Sequence, residues 1–215
     1  TFYIRCMGAS EPKPDYQFEN GCVGPVCGID EAGRGPLAGP VVAAAVILDL
    51  ATMPDGLDDS KRLTARRREH LAGVLERVAC VGIGLATVDE IDRLNILHAT
   101  MLAMRRAAGA LAVAPRTALI DGNRAPDLGC ATQTVIKGDR RSLSIAAASI
   151  IAKVHRDRIM TKLDAEFPHF GWARNAGYPT REHREALARF GPCAHHRTSF
   201  APVRAAIARH SGFQD

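Results

Sequence analysis

Acidic residues follow three of the predicted strands, at points where a folded sheet could bring them together. Asp30 and Glu31 end an apolar run near the start of the chain. Asp121 ends a second run, and Asp139 lies just after a third. An α/β sheet presents its ligands beyond the carboxyl ends of its strands. We therefore expect these acids to converge on one edge if the three strands are parallel neighbours.

Carboxylates gathered in this way are typical of a divalent metal site, because Mg²⁺ and Mn²⁺ prefer oxygen ligands. Four carboxylates have a formal charge of −4, which two divalent ions balance. Two ions about 3.5–4 Å apart can stabilise both the attacking and the leaving oxygen of a phosphodiester displacement. An isolated Asp-Glu pair or Asp-Gly turn is usually a solvated loop feature, so the hypothesis depends on their joint placement.

The adjacency of Asp30 and Glu31 creates a geometric difficulty, because neighbouring residues of a strand point to opposite faces of the sheet. They can share one site only if the strand ends or bulges between them. We expect such an interruption, since Gly33 lies close behind.

The elements that must position these acids are a mixture of strands and helices. Apolar and β-branched runs predict strands over 26–30, 41–48, 78–88, 116–121 and 131–137. Apolar periodicity predicts helices over 64–78, 91–104, 142–167 and 180–190, and a final helix near residue 202. Three strands close together indicate an antiparallel meander, and the helix-linked strands indicate parallel additions. The predicted fold class is α/β, a mixed five-stranded sheet flanked by helices, with a small helical C-terminal appendage.

The predicted organisation of the 215 residues has three parts. Residues 1–20 are polar, interrupted by proline and without periodicity, so we expect a loose N-terminal tail. Residues 21–167 form the main domain, and residues 168–215 form a helical appendage packed on it. This division fits a length of about one domain with a small addition.

The charge of the chain favours an acidic partner. Lys and Arg number 28 against 23 Asp and Glu, and residues 137–215 hold 14 of the basic residues but only 7 of the acidic ones. Nucleic acid is the first candidate for such a partner. No apolar run approaches the ~18 residues of a membrane span, and residues 1–20 show no signal peptide. Six scattered cysteines without zinc-type spacing indicate reduced thiols, and we expect a cytoplasmic protein that does not bind membranes.

Eight segments resemble, in order, the motifs of the bacterial ribonuclease HII family. They include residues 28–46, which begin Gly-Ile-Asp-Glu-Ala-Gly-Arg-Gly, Asp-Ser-Lys-Arg-Leu at 59–63, Asp-Gly-Asn at 121–123, Lys-Gly-Asp at 137–139 and Gly-Tyr-Pro-Thr at 177–180. The others lie at 95–101, 146–154 and 196–200. The resemblance covers about residues 20–205 without large gaps.

The resemblance implies an RNase H-like fold and a monomeric, metal-dependent endonuclease. Such an enzyme cleaves the RNA strand of RNA–DNA hybrids and single ribonucleotides embedded in duplex DNA, leaving a 3′-hydroxyl and a 5′-phosphate. It uses two Mg²⁺ or Mn²⁺ ions. The implied catalytic and metal-binding residues are Asp30, Glu31, Asp121 and Asp139.

The resemblance also implies which residues bind the substrate. They are Gly33, Arg34, Gly35, Ser60, Lys61 and Tyr178. The backbone of the Gly-Arg-Gly loop would recognise the 2′-hydroxyl, the group that distinguishes RNA from DNA. The tyrosine would stack on the sugar at the RNA–DNA junction, and the Ser-Lys pair would contact phosphate.

Two other classes of function stay open from the residues alone. A non-catalytic duplex-binding module would use the same basic region without needing acids at the strand ends. Another metal phosphohydrolase on an RNase H fold would act on small phosphate esters. One departure from the family pattern bears on substrate affinity, since Ala176 stands where Lys is common.

Overall fold

A computed structural model describes residues 13–211 of the chain. The strands are β1 Val26–Ala32, β2 Val41–Ile47, β3 Cys80–Ala86, β4 Thr117–Asp121 and β5 Ala131–Val135. The α-helices are α1 Gln17–Asn20, α2 Ala65–Val78, α3 Val88–Gly109, α4 Leu143–Glu166, α5 Trp172–Asn175, α6 Arg181–Phe190 and α7 Ala201–Ser211. Short 3₁₀ turns cover Gly138–Arg140 and Pro168–Phe170. Within the described range, no helix is both long and apolar enough to cross a membrane.

The five strands form one mixed sheet in the order β3-β2-β1-β4-β5. The first three strands pair antiparallel as a meander, while β4 pairs parallel with β1, and β5 parallel with β4. The predicted mixed five-stranded sheet is confirmed. Because β1, β4 and β5 run in the same direction, their carboxyl ends lie at the same edge of the sheet.

Helices cover both faces of the sheet, and small residues let them approach closely. α2 and α4 pack on one face, and α3 packs on the other. Ala43, Ala44 and Ala45 of β2 are fully buried and alternate between these two layers. On β3, a methyl group added at Gly84 would lie 2.2 Å from the carbonyl oxygen of Ala103 in α3. The helix therefore packs directly against the backbone of the strand.

α3 consists of two helical segments joined at Asn95, where φ is 65° and ψ is 164°. The side-chain oxygen of Asn95 accepts hydrogen bonds from the amides of Leu97 at 3.0 Å and His98 at 3.3 Å. Asn95 therefore caps the second segment as an N-cap residue does. Apolar periodicity alone predicted one uninterrupted helix here.

The structure differs from the predicted loose tail in residues 13–20. Asp15 forms a backbone bridge with Ser142, and α1 brings Glu19 into a buried position. The Glu19 carboxylate accepts hydrogen bonds from Ser142 Oγ at 2.5 Å and from Ser144 N and Oγ at 2.9 and 2.6 Å. This carboxylate lies at the N-terminus of α4, where the helix dipole favours negative charge. One buried acid leaves no periodic signal in the sequence, and residues 1–12 of the predicted tail lie outside the described residues.

The segments that follow α4 pack back on it through an aromatic cluster. Phe170 and Trp172 stack with ring centroids 5.0 Å apart, and both are buried. They pack with Met160 of α4 and with Ala38 of the loop that follows β1. This contact joins the C-terminal helices to that loop. The predicted division into domains at residue 168 stays a prediction.

Gly84→Ala is expected to destabilise the protein by about 1–3 kcal/mol, because the added methyl group meets the backbone of α3. Gly109→Ala is the matched control. Nothing lies within 4 Å of a Cβ added at Gly109, so that change should be neutral or slightly stabilising. Urea unfolding followed by circular dichroism measures both variants. Equal unfolding free energies would contradict the close packing of α3 on β3.

Candidate active site

Asp30 and Glu31 lie near the end of β1 on opposite faces of the sheet. The strand stays in register through both residues, which pair with Ala44 and Ala43 of β2. The expected strand end or bulge between them is therefore wrong. The parallel pairing of β1 with β4 stops at Ile29, so both acids lie beyond the last pair with β4. From this position, side chains on either face can reach the same end of β4.

Asp121 and Asp139 approach from the neighbouring strands. Asp121 is the last residue of β4, and its Oδ1 accepts a hydrogen bond of 2.7 Å from the amide of Gly138. Gly138 begins the 3₁₀ turn that follows β5, and Asp139 is the next residue in this turn. A side chain at Gly138 would clash with Ile145 of α4, since an added Cβ would lie 2.6 Å from its Cδ1. Glycine therefore allows the turn to bring both acids to one edge.

Burial and mutual repulsion raise the pKa values of three of the acids. Asp30 is only 5 % exposed, and burial followed by the charges of Glu31 and Asp121 raises its pKa well above the usual range. Burial also raises the pKa of Glu31, although Arg34 opposes this shift. Burial and then the charge of Asp121 raise the pKa of Asp139. The ionised cluster therefore favours a nearby cation.

Two basic side chains approach these acids from the loops. Lys61 Nζ lies 3.3 Å from Asp139 Oδ2, and Arg34 Nη1 lies 3.2 Å from Glu31 Oε1. Asp59 holds the turn that presents Lys61, since its buried carboxylate accepts a hydrogen bond of 2.9 Å from the Lys61 amide. The lysine side chain is 77 % exposed, so it is also accessible to a ligand at this edge.

Among residues 13–211, no three acidic, histidine or cysteine side chains are close enough together to form a ready-made metal cage. The four acids nevertheless fit a divalent cation by their chemistry, since each offers hard carboxylate oxygens. Burial, followed by the charges of neighbouring carboxylates, raises the pKa values of Asp30, Glu31 and Asp139. A bound cation would favour the ionised forms and offset the repulsion among the carboxylates. The residues that could hold it are Asp30, Glu31, Asp121 and Asp139.

The Gly-Arg-Gly loop after β1 and the turn before α6 meet close to the acids. Gly33 has φ of 99° and leaves no room for a side chain, because an added Cβ would lie 2.0 Å from Nε of Arg156. Gly35 faces Tyr178, whose Cε1 would lie 3.6 Å from an added Cβ. The Tyr178 side chain is among the exposed large side chains of the molecule. The structure thus brings the predicted 2′-hydroxyl reader and the predicted stacking residue together.

Ser60 lies behind this surface rather than on it. It is buried, its amide donates to Ser149 Oγ of α4 at 3.3 Å, and its carbonyl oxygen accepts from Arg68 at 2.9 Å. These contacts hold the turn that presents Lys61. A direct phosphate contact by Ser60 stays a prediction.

Two buried arginines, Arg156 and Arg197, hold the loop after β1, and sequence reasoning missed both roles. Among residues 13–211, every acceptor of their guanidinium groups is a backbone oxygen. The accepting carbonyl oxygens belong to Gly33, Arg34, Ala38, Gly39, Pro40 and Ala176. Burial, followed by the charge of Arg156, lowers the pKa of Arg197 to about 9. The available sequence signal was the position of Arg197 in the 196–200 motif.

A hydrogen-bonded series of buried side chains holds the backbone of Tyr178 in place. His183 donates from Nδ1 to the carbonyl oxygen of Tyr178 at 2.9 Å, and its Nε2 faces Trp172 Nε1 and His196 Nε2, each at 3.1 Å. The amide of Cys193 donates to His196 Nδ1 at 3.1 Å. Burial lowers the pKa of both histidines, that of His196 to about 3. The two imidazoles therefore stay neutral and fix the backbone at Tyr178.

Comparison with known proteins places this site in a family. The model of the family described as Ribonuclease HII matches residues 27–203. The chain is 59 % identical to ribonuclease HII of Parvibaculum lavamentivorans over 195 residues, which are 89 % of this chain and 72 % of that protein. It is also 59 % identical to ribonuclease HII of Paramagnetospirillum magneticum, over 88 % of this chain and 96 % of that protein.

A solved structure agrees with these sequence relatives. The crystal structure of ribonuclease H2 from Pyrococcus horikoshii OT3 superposes with a TM-score of 0.72 at 28 % identity, covering 86 % of this chain and 98 % of that one. The family model spans most of the chain, and its matched range contains every acid of the cluster at the sheet edge. The chain therefore belongs to the ribonuclease HII family and is a ribonuclease H, an endonuclease of the RNA strand in RNA–DNA hybrids.

Proposed function

We propose that this enzyme also cleaves at single ribonucleotides embedded in duplex DNA, and that its activity depends on two divalent ions, Mg²⁺ or Mn²⁺. The supporting observation is that an acidic sheet edge lies beside a glycine loop and an exposed tyrosine. The acids provide a place for the chemistry. The loop and the tyrosine provide a surface for one ribonucleotide and the sugar next to it.

Asp30, Glu31, Asp121 and Asp139 would hold the ions and act as the catalytic residues. When bound, the divalent ions would supply positive charge that stabilises the attacking and the leaving oxygen. Water would attack phosphorus as the P–O3′ bond breaks, giving its OH to the 5′-phosphate and a proton to the 3′-oxygen, so the products are a 3′-hydroxyl and a 5′-phosphate. Lys61, whose Nζ lies beside Asp139, would bind a phosphate oxygen of the same strand.

The ribonucleotide would be recognised by backbone groups of the loop rather than by its base. Amides of Gly33, Arg34 and Gly35 would donate to the 2′-hydroxyl, because glycine allows the backbone to approach a ligand closely. Tyr178 would stack on the sugar at the junction, where its exposed ring is available. This arrangement supports cleavage at any base and explains why one ribonucleotide would suffice.

The rest of the duplex would lie along the basic C-terminal third. Residues 137–215 hold twice as many basic as acidic residues. Contacts of this kind bind phosphates without reading sequence and weaken as salt increases. We further propose a monomeric, cytoplasmic enzyme. Its cysteines within the described range are free thiols, as a reducing compartment would require.

Asp121→Asn is expected to bind a duplex with one ribonucleotide as wild type does, but to cleave it about 10²–10³-fold more slowly or not at all. The reason is that an uncharged amide oxygen is a much weaker ligand for a divalent ion than a carboxylate. Asp127→Asn is the control, since Asp127 is exposed on the connection between β4 and β5. Single-turnover cleavage in Mn²⁺ and fluorescence anisotropy measure the two properties. Full cleavage by Asp121→Asn would refute the assignment.

Asp30→Asn is expected to stabilise the protein in EDTA by on the order of 1 kcal/mol at neutral pH. A group whose pKa is raised on folding destabilises the fold once it ionises, and the amide removes that charge. Asp92→Asn is the control, and its effect on stability should have the opposite sign. Asp92 accepts hydrogen bonds from Thr198 and Ser199 that lower its pKa, so its loss should destabilise.

Thermal unfolding measures these changes in stability, and it also tests metal binding without relying on activity. Mn²⁺ should raise the melting temperature of wild type, because a ligand that binds only the folded state stabilises it. The increase should be much smaller for Asp30→Asn. An equal increase in both proteins, or destabilisation by Asp30→Asn in EDTA, would contradict the role given to Asp30.

A further inference from the structure

Arg156 and Arg197 are buried cationic side chains whose guanidinium groups donate to backbone oxygens. Both side chains are at most 1 % exposed, and within residues 13–211 neither guanidinium forms an ion pair. Removing a charge from water is costly unless it is compensated by opposite charge or by many hydrogen bonds. Apolar side chains could fill this volume at lower cost. The burial of the two arginines therefore depends on their hydrogen bonds to the backbone.

The hydrogen bonds of the two arginines turn the carbonyl groups of one loop toward the protein interior. Arg197 donates from Nη2 to Gly33 O at 2.6 Å, from Nη1 to Arg34 O at 3.0 Å, and from Nε to Gly39 O at 2.9 Å. Arg156 donates to Pro40 O at 3.1 Å in the same loop. The planar fork of a guanidinium group can hold several acceptors in fixed directions.

The orientation of a carbonyl group fixes the orientation of the next amide. In a planar trans peptide unit, C=O and N–H point in opposite directions. The described residues contain one cis peptide bond, Gly24–Pro25, so the units after Gly33 and Arg34 are trans. With both carbonyl groups directed at buried Arg197, the amides of Arg34 and Gly35 are directed away from it. Within the described chain, neither amide has a hydrogen-bond partner.

Arg156 also connects this loop to the turn that presents Tyr178. Its Nη2 donates to Ala38 O at 3.2 Å and its Nη1 to Ala176 O at 2.9 Å. Its Cζ also lies 6.0 Å from the ring centroid of Tyr178. One side chain therefore fixes the distance between the loop after β1 and the turn that presents Tyr178.

We infer that Arg156 and Arg197 are positioning residues for ribonucleotide selectivity, which hold the amides of Arg34 and Gly35 outward and at a fixed distance from Tyr178. This inference rests on the proposed reading of the 2′-hydroxyl by that loop. Neither arginine touches the substrate. Their loss should therefore weaken the preference for a ribonucleotide without weakening the general attraction to duplex DNA.

The test is a binding preference measured in a variant whose cleavage is strongly impaired. In the Asp121→Asn background with Mg²⁺, fluorescence anisotropy gives the Kd for a duplex with one ribonucleotide and for the same duplex in all-deoxy form. Arg197→Lys keeps the charge but loses the planar fork. We expect it to reduce the ratio of the two Kd values roughly tenfold and to leave the all-deoxy Kd unchanged. Arg156→Lys should behave in the same way.

Arg158→Lys is the matched control on α4, since Arg158 pairs with Glu69 and Glu76 on the surface. It should keep the full preference. If Asp121→Asn alone shows no preference, the proposed reading of the 2′-hydroxyl fails, and the inference fails with it. If that preference exists and a folded Arg197→Lys keeps it, only the inference fails. If Arg197→Lys does not fold, Arg156→Lys decides, and failure of both to fold shows a purely structural role.

Discussion

Repulsion among carboxylates at one sheet edge is the constraint on which the site depends. Asp30 and Glu31 extend past the last residue pair between β1 and β4, and Asp121 ends β4 beside the turn that contains Asp139. Burial strengthens the repulsion, because fewer water molecules screen the charges. The sheet that carries these acids is packed between two helical layers. The cost of the unneutralised charge is the physical basis for expecting a divalent cation there.

Buried polar side chains fix the geometry of the loops beside the acids. Arg156 and Arg197 organise carbonyl groups of the loop after β1, while neutral His183 and His196 fix the turn at Tyr178. We propose that this surface of backbone groups and one aromatic ring, held in place by buried polar contacts, recognises the ribonucleotide. It would distinguish the sugar without reading the base.

The sequence alone predicted the mixed sheet and the convergence of the acids, because hydrophobic periodicity and strand ends are local signals. It did not predict that β1 continues through Glu31. Adjacent acids can still lie at one sheet edge because the pairing of β1 with β4 stops before them, at Ile29. Nor did the sequence predict the burial of Glu19, the kink at Asn95 or the role of Arg197. Each depends on a partner distant in sequence or on one side chain, which periodicity cannot reveal.

The most direct measurement compares matched duplexes with zero, one and four ribonucleotides, each incubated with the wild-type protein with and without Mg²⁺ or Mn²⁺. We predict metal-dependent cleavage of the duplexes with one and four ribonucleotides, with 3′-hydroxyl and 5′-phosphate ends, and no cleavage of the all-deoxy duplex. Cleavage in the presence of EDTA, or failure to cleave the duplex with one ribonucleotide while the duplex with four is cut, would contradict it.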